Sequence, residues 1–122
     1  MRDISKLFKA IADNTRLRIL WILKARPLCV CEIREVLQLA ISTVSQHLSI
    51  LRDAGFIVDI KEGKWVNYAR NPDPNAEEVQ TLLALIDRIM EREPSAKIDR
   101  QAAANVDRNA ICSIENPKTA IS

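Results

Sequence analysis

Aromatic residues make up only 4% of this 122-residue chain, which also has just two glycines, three cysteines and one histidine. With so few rings, a core has to be built from Leu, Ile, Val and Ala, a palette that favours helices. No run approaches the roughly eighteen consecutive apolar residues of a membrane-spanning helix. The opening Met1-Arg-Asp-Ile-Ser-Lys6 lacks the apolar stretch of a secretory signal. The expectation is a cytoplasmic protein whose thiols stay reduced. A glycine-rich phosphate loop, a Ser/His/Asp set and a thioredoxin-like strand–helix arrangement are all missing, so no enzyme class is supported. Repeats and low-complexity tracts are missing as well.

Apolar residues form 48% of the chain and charged residues 28%. That is enough for one domain with tails. The net charge of +2 hides an asymmetry. Residues 1–70 carry twelve Lys/Arg against seven Asp/Glu (+5), and residues 71–122 carry six against nine (−3). A basic front and an acidic back suit a protein that turns one face to phosphates.

Ile4, Leu7, Phe8 and Ile11 recur at helical spacing and predict a helix over residues 3–12. Asp13-Asn14-Thr15 reads as an N-cap region for a second, largely apolar helix over 16–24, placed at the centre of the core and ended by Pro27. A third helix is expected over 31–39 with Ile33, Val36 and Leu37 inward. After a turn at Ala40-Ile41, a fourth is capped by Ser42 and stopped by Gly55. In that fourth helix Val44, Leu48 and Leu51 face the core, leaving Ser45, Gln46, Ser49 and Arg52 outside. Residues 56–61 and 64–69 read as strands around a two-residue loop, Glu62-Gly63. A last helix is expected over 76–92. From Pro94 the periodicity fades, which divides the chain into a domain over 1–93 and a flexible C-terminal tail over 94–122.

Two helices joined by a tight turn and followed by a charged hairpin make a winged helix-turn-helix, so the fold class is mainly α with a β-hairpin wing. The fourth helix opens with short polar side chains. Ser42, Thr43, Ser45 and Gln46 can reach base edges or phosphates without holding the helix out of a major groove. Lys61 and Lys64 flank the hairpin tip, within reach of the backbone beside that groove. His47 is either a structural residue or, from its place in the recognition helix, a further DNA contact.

Just upstream, Cys29-Val30-Cys31 puts two thiols at the mouth of the third helix. Within a continuous helix, residues two apart point about 200° from one another. Both sulfurs can therefore grip one atom only if that helix start is unwound. Two readings of the pair stay open: small, partly buried apolar residues, or soft ligands for a thiophilic ion.

Asp13-Asn-Thr-Arg-Leu-Arg-Ile-Leu20, Leu28-Cys-Val-Cys-Glu-Ile33, the stretch from Ser42 to Phe56 and Lys61-Glu-Gly-Lys-Trp-Val-Asn-Tyr68 together resemble the ArsR/SmtB family of metal-sensing repressors. The likeness covers about residues 4–90 and is strongest to the arsenical-resistance operon repressors. It implies a homodimer built largely from the first and last helices, making residues 1–93 a DNA-binding and dimerisation domain. It also implies binding to double-stranded operator DNA with an inverted repeat, released when As(III) or Sb(III) binds as inducer. Carried over residue by residue, Cys29 and Cys31 become the metalloid ligands. The best-known arsenical pattern has a third cysteine where this chain has Arg34. A third ligand then comes from Cys112, of the same or the partner subunit, or from a hydroxide or small thiol. A zinc- or nickel-type site on the last helix is disfavoured because residues 76–93 contain no histidine, and a cadmium/lead-type site because no cysteine precedes Cys29. The competing readings are a repressor of the same fold that senses oxidants or reactive sulfur, a small thiol oxidoreductase, and a winged helix used only for protein contacts.

Overall fold

The computed structural model describes residues 4–107 and 109. In chain order these form α1 (Ile4–Ile11), α2 (Asn14–Ile22), β1 (Leu28–Cys29), α3 (Val30–Leu37), α4 (Ile41–Asp53), β2 (Ile57–Glu62), β3 (Trp65–Arg70), α5 (Glu77–Met90) and α6 (Pro94–Asn105). Asp13 caps α2, its carboxylate accepting the Arg16 amide at 3.0 Å. Along α2, Ile19, Leu20, Trp21 and Ile22 are all buried, as expected of a helix enclosed on most sides. Around it pack Leu7 and Ala10 of α1, Ile33 and Leu37 of α3, Val44, Leu48 and Leu51 of α4, Phe56, and Val79, Leu83 and Ile86 of α5. The inward rows expected for the third and fourth helices are the rows found buried.

The hairpin forms one residue later than the sequence suggested. Glu62 pairs with Trp65, so the two-residue loop is Gly63-Lys64. Gly63 takes φ +60, and Lys64 is not among the described non-glycine residues with positive φ. A positive φ at the first loop position only is the pattern of a type II′ turn, which explains why the glycine leads the loop. The sheet also has a member that was not expected. β1 pairs antiparallel with β3 (Leu28 with Tyr68, Cys29 with Asn67), giving the order β1-β3-β2. Ser42 is not the cap of α4; Ala40 is, with no side-chain capping bond.

The largest difference lies beyond Pro94. Residues 94–105, assigned above to a flexible tail, form α6, with Pro94 at a position where its missing N–H costs nothing. Its buried side is Ala96, Asp99 and Ala103. That helical stripe is too small and too polar for apolar periodicity to register. Asp99 is buried because Arg18 clasps both its oxygens at 2.8 and 3.0 Å, and Trp21 donates its indole N–H to the Ala96 carbonyl at 2.8 Å. The Arg100 guanidinium lies over the same indole, 4.8 Å from the ring centroid. No described helix is long and apolar enough to cross a membrane.

Candidate functional site

Cys29 and Cys31 are free thiols, buried at 3% and 8% exposure, and they form a small cluster with Val30 and Trp65 apart from the main core. Cys29 is not in the helix. It ends β1, adopts extended geometry (φ −83, ψ 168) and serves as the N-cap of α3, whose second residue is Cys31. Only Cys31 of the pair therefore lies within the helix, and the joint between β1 and α3 falls between the two thiols. Trp65, from the first position of β3, packs against the pair and covers it.

The Glu32 carboxylate, three residues on, accepts the Cys29 backbone N–H at 3.0 Å, the return half of a capping box. Glu32 is itself buried and pairs with Arg26 at 3.3 Å. Burial pushes the Cys29 thiol above its ordinary value. The Glu32 backbone amide offsets part of that rise, while the Glu32 carboxylate and Cys31 add to it. Cys29 is thus a shielded thiol that holds its proton more tightly than an exposed cysteine does. Among the described residues, no group of three or more His, Cys, Asp or Glu is placed to share a metal ion. Cys112 lies outside the described residues.

Two routes connect these thiols to the expected DNA-reading surface. The first is α3, which runs to Gln38, in left-handed geometry at φ 58, and turns into α4. The second is the sheet, where Cys29 sits opposite Asn67, two residues from Trp65. The Lys64 ammonium rests 5.5 Å from the Trp65 ring centroid, so the wing tip is in contact with the side chain that covers the thiols. Neither β1 nor Trp65 was singled out by sequence reasoning. The only signal was the Glu three residues after Cys29, which sits at capping-box spacing.

On α4, Ser42, Ser45 and Gln46 are exposed and Thr43 is half-buried along one side of the first two turns. With Ala40 as cap, no side chain occupies the first-turn amides, which leaves them available to an anion. Lys61 and Lys64 are exposed on the wing. His47 is placed differently. Its Nδ1 lies 3.0 Å from Arg16 Nη1 and 3.9 Å from Asp13. A guanidinium only donates, so Nδ1 is the acceptor of this bond. Arg16 also donates to the carbonyls of Ala10 and Lys9 at 2.6 and 3.2 Å. His47 therefore fastens the recognition helix to α1 and α2.

The family model for the bacterial regulatory protein, arsR family, matches residues 13–58. The arsenical resistance operon repressor of Escherichia coli is 43% identical over 68 residues, 55% of this chain and 58% of that protein's length. The Bacillus subtilis protein of the same description is 40% identical over 85 residues, covering 69% of this chain and 77% of that one. Among solved structures, the homodimeric winged helix-turn-helix DNA-binding domain of a possible ArsR-family regulator from Mycobacterium bovis superposes with a TM-score of 0.62 at 25% identity, over 75% of this chain and 81% of that chain. The fold is thus that of DNA-binding transcriptional regulators, not of an enzyme. By sequence and by fold, this chain belongs to the arsR family of bacterial regulatory proteins.

Proposed function

We propose that this chain is an arsenite- and antimonite-responsive repressor, cytoplasmic, that binds an inverted-repeat operator as a homodimer. The observation that carries the reading is the pair of free, buried thiols in one cluster at the junction of β1, α3 and the wing. Two soft sulfurs with no histidine or carboxylate completing a described metal group suit thiophilic As(III) or Sb(III) better than zinc, which favours four ligands. Cys112, or a hydroxide or small thiol, fills the third position. Ser42, Thr43, Ser45 and Gln46 read the major groove, Lys61 and Lys64 hold the flanking backbone, and His47 orients the reader through Arg16.

Exposed apolar side chains on α1 and α5 supply the dimer face. Ile4, Phe8, Leu85 and Ile89 are all about half exposed, and a groove of about 370 Å³ between the two helices is lined by Ile4, Phe8 and Leu82. Release follows from the burial of the thiols. Bringing Cys29 and Cys31 onto one atom requires Trp65 to yield and the β1–α3 joint to turn. That joint carries both the wing and, through α3, the recognition helix. The oxidant-sensing alternative fits less well, because redox-sensing thiols are exposed with depressed pKa values, whereas Cys29 is buried with a raised one.

The testing experiment is fluorescence anisotropy of a promoter fragment, titrated with arsenite, antimonite, cadmium, zinc and diamide. Release by the first two at lower concentration than by the others is expected; release by diamide alone would favour redox sensing. In the same assay Lys64→Ala is expected to weaken binding and to reduce the slope of log affinity against log salt by about 1. An unchanged slope would remove the wing from the contact surface.

A further inference from the structure

We infer that Glu32 and Arg26 are positioning residues of the thiol segment and that the C-terminal end of α6 latches it in the DNA-retaining form. The inference rests on the reading of Cys29 and Cys31 as the ligand-binding pair. One Glu32 oxygen accepts the Cys29 amide at 3.0 Å, and the other lies 3.3 Å from Arg26 Nη1. The second arm of the same guanidinium donates to the carbonyls of Ala103 and Val106 at 3.0 and 3.2 Å. Those carbonyls close α6, where the last turn has no intrahelical donors and a cation is favoured. A single side chain thus spans the start of α3 and the end of α6.

Every polar end of this bridge is accounted for, and Glu32 is only 4% exposed. Turning residues 29–31 pulls the Cys29 amide from Glu32 and leaves a buried carboxylate short of a donor, a costly state. The thiol segment and the end of α6 are therefore linked through one chain of hydrogen bonds, by way of Glu32 and Arg26. An open pocket of about 530 Å³ lies beside the bridge, lined by Arg26, Pro27, Glu32, Asn67 and Val106, so the bridge is reached from solvent on one side. Coupling of this kind is reciprocal. Whatever loosens α6 at Arg26 makes the thiols easier to reach, and thiol occupancy loosens α6.

The test follows alkylation of Cys29 and Cys31 by peptide mass spectrometry, without DNA or metalloid, and in parallel the arsenite concentration that half-releases the operator. Arg26→Ala is expected to speed alkylation about ten-fold, in line with the loss of hydrogen bonds to a charged group, and to lower the half-release concentration several-fold. Arg26→Lys, which keeps the charge but not the fork, falls between it and wild type. Leu83→Ala, in the core of α5, serves as a control. It is expected to lower the melting temperature while leaving the alkylation rate within about two-fold, since stability lost there is not lost at the latch. An alkylation rate for Arg26→Ala within two-fold of wild type, or equal acceleration by Leu83→Ala, would overturn the inference. Faster alkylation with no arsenite-induced release from any form would leave the latch standing and dismiss the ligand reading. If Arg26→Ala does not fold, Glu32→Gln, which keeps an acceptor for Cys29 and removes the charge pair, is expected to give about three-fold acceleration; no acceleration would count equally against the latch.

Discussion

The Cys29→Ser/Cys31→Ser double variant is expected to bind the operator as wild type does and to ignore arsenite. Serine is close to cysteine in size, and both positions are nearly closed to solvent, so the ligand-free fold changes little. The donors change completely. A hydroxyl oxygen is hard, holds its proton at neutral pH, and offers a soft metalloid nothing comparable to a thiolate. Coupling between an effector site and a second site is typically about 1–3 kcal/mol, or about 5–150-fold in affinity. Wild-type operator affinity should fall within that range on saturation with arsenite, whereas the variant's should stay within about two-fold of its starting value. Either single serine removes one of the two described sulfurs and is expected to raise the half-release concentration by at least about ten-fold, roughly the loss of one strong ligand. A double variant that still released DNA at the wild-type arsenite concentration would move the sensing site elsewhere in the protein.

Arg70→Ala is expected to cost about 3 kcal/mol of folding stability, near the lower end for breaking a buried ion pair. Arg70 ends β3 and grips both oxygens of Asp87 on α5, at 2.9 and 2.7 Å, with each side chain only 15% exposed. Its Nε donates to the Leu20 carbonyl at 2.8 Å, so one guanidinium ties the wing, the central helix and the proposed dimer helix. Removing it leaves Asp87 with Lys24 at 3.8 Å as its nearest remaining cation, which keeps the loss from reaching the upper end. Arg70→Lys should recover only part, since a point charge cannot serve two carboxylate oxygens and a carbonyl at once. Urea unfolding at fixed protein concentration measures the effect, because a dimer's apparent stability depends on concentration. A loss below about 1 kcal/mol would mean the pair behaves like an exposed surface bridge.

Elements whose identity rests on their own residues were readable in advance. The inward row of Val44, Leu48 and Leu51 follows from a spacing of three and four, and all three are buried. The hairpin follows from a change of period and a glycine. The sequence hid whatever depends on a distant partner. β1 is two residues long and exists because β3 offers an edge some forty residues later. α6 buries alanines and an aspartate, and what places it is Arg18 and Trp21 on another helix. The thiol site was half legible. Two cysteines before a helix-turn-helix were visible, but the extended backbone at Cys29, the cover by Trp65 and the bridge through Glu32 all depend on tertiary contacts. His47 shows the same limit: its position in the fourth helix left a structural role and a DNA contact both open, and the bond from Arg16 that engages its ring depends on a tertiary contact.

Amide hydrogen exchange across residues 28–34, with and without arsenite, tests most directly whether sulfur chemistry at the head of α3 controls the grip on DNA. Arsenite is expected to strip protection from the Cys29–Glu32 turn and from the facing Trp65–Asn67 strand at the concentration that releases the operator. Release with both segments as protected as in the ligand-free protein would contradict it.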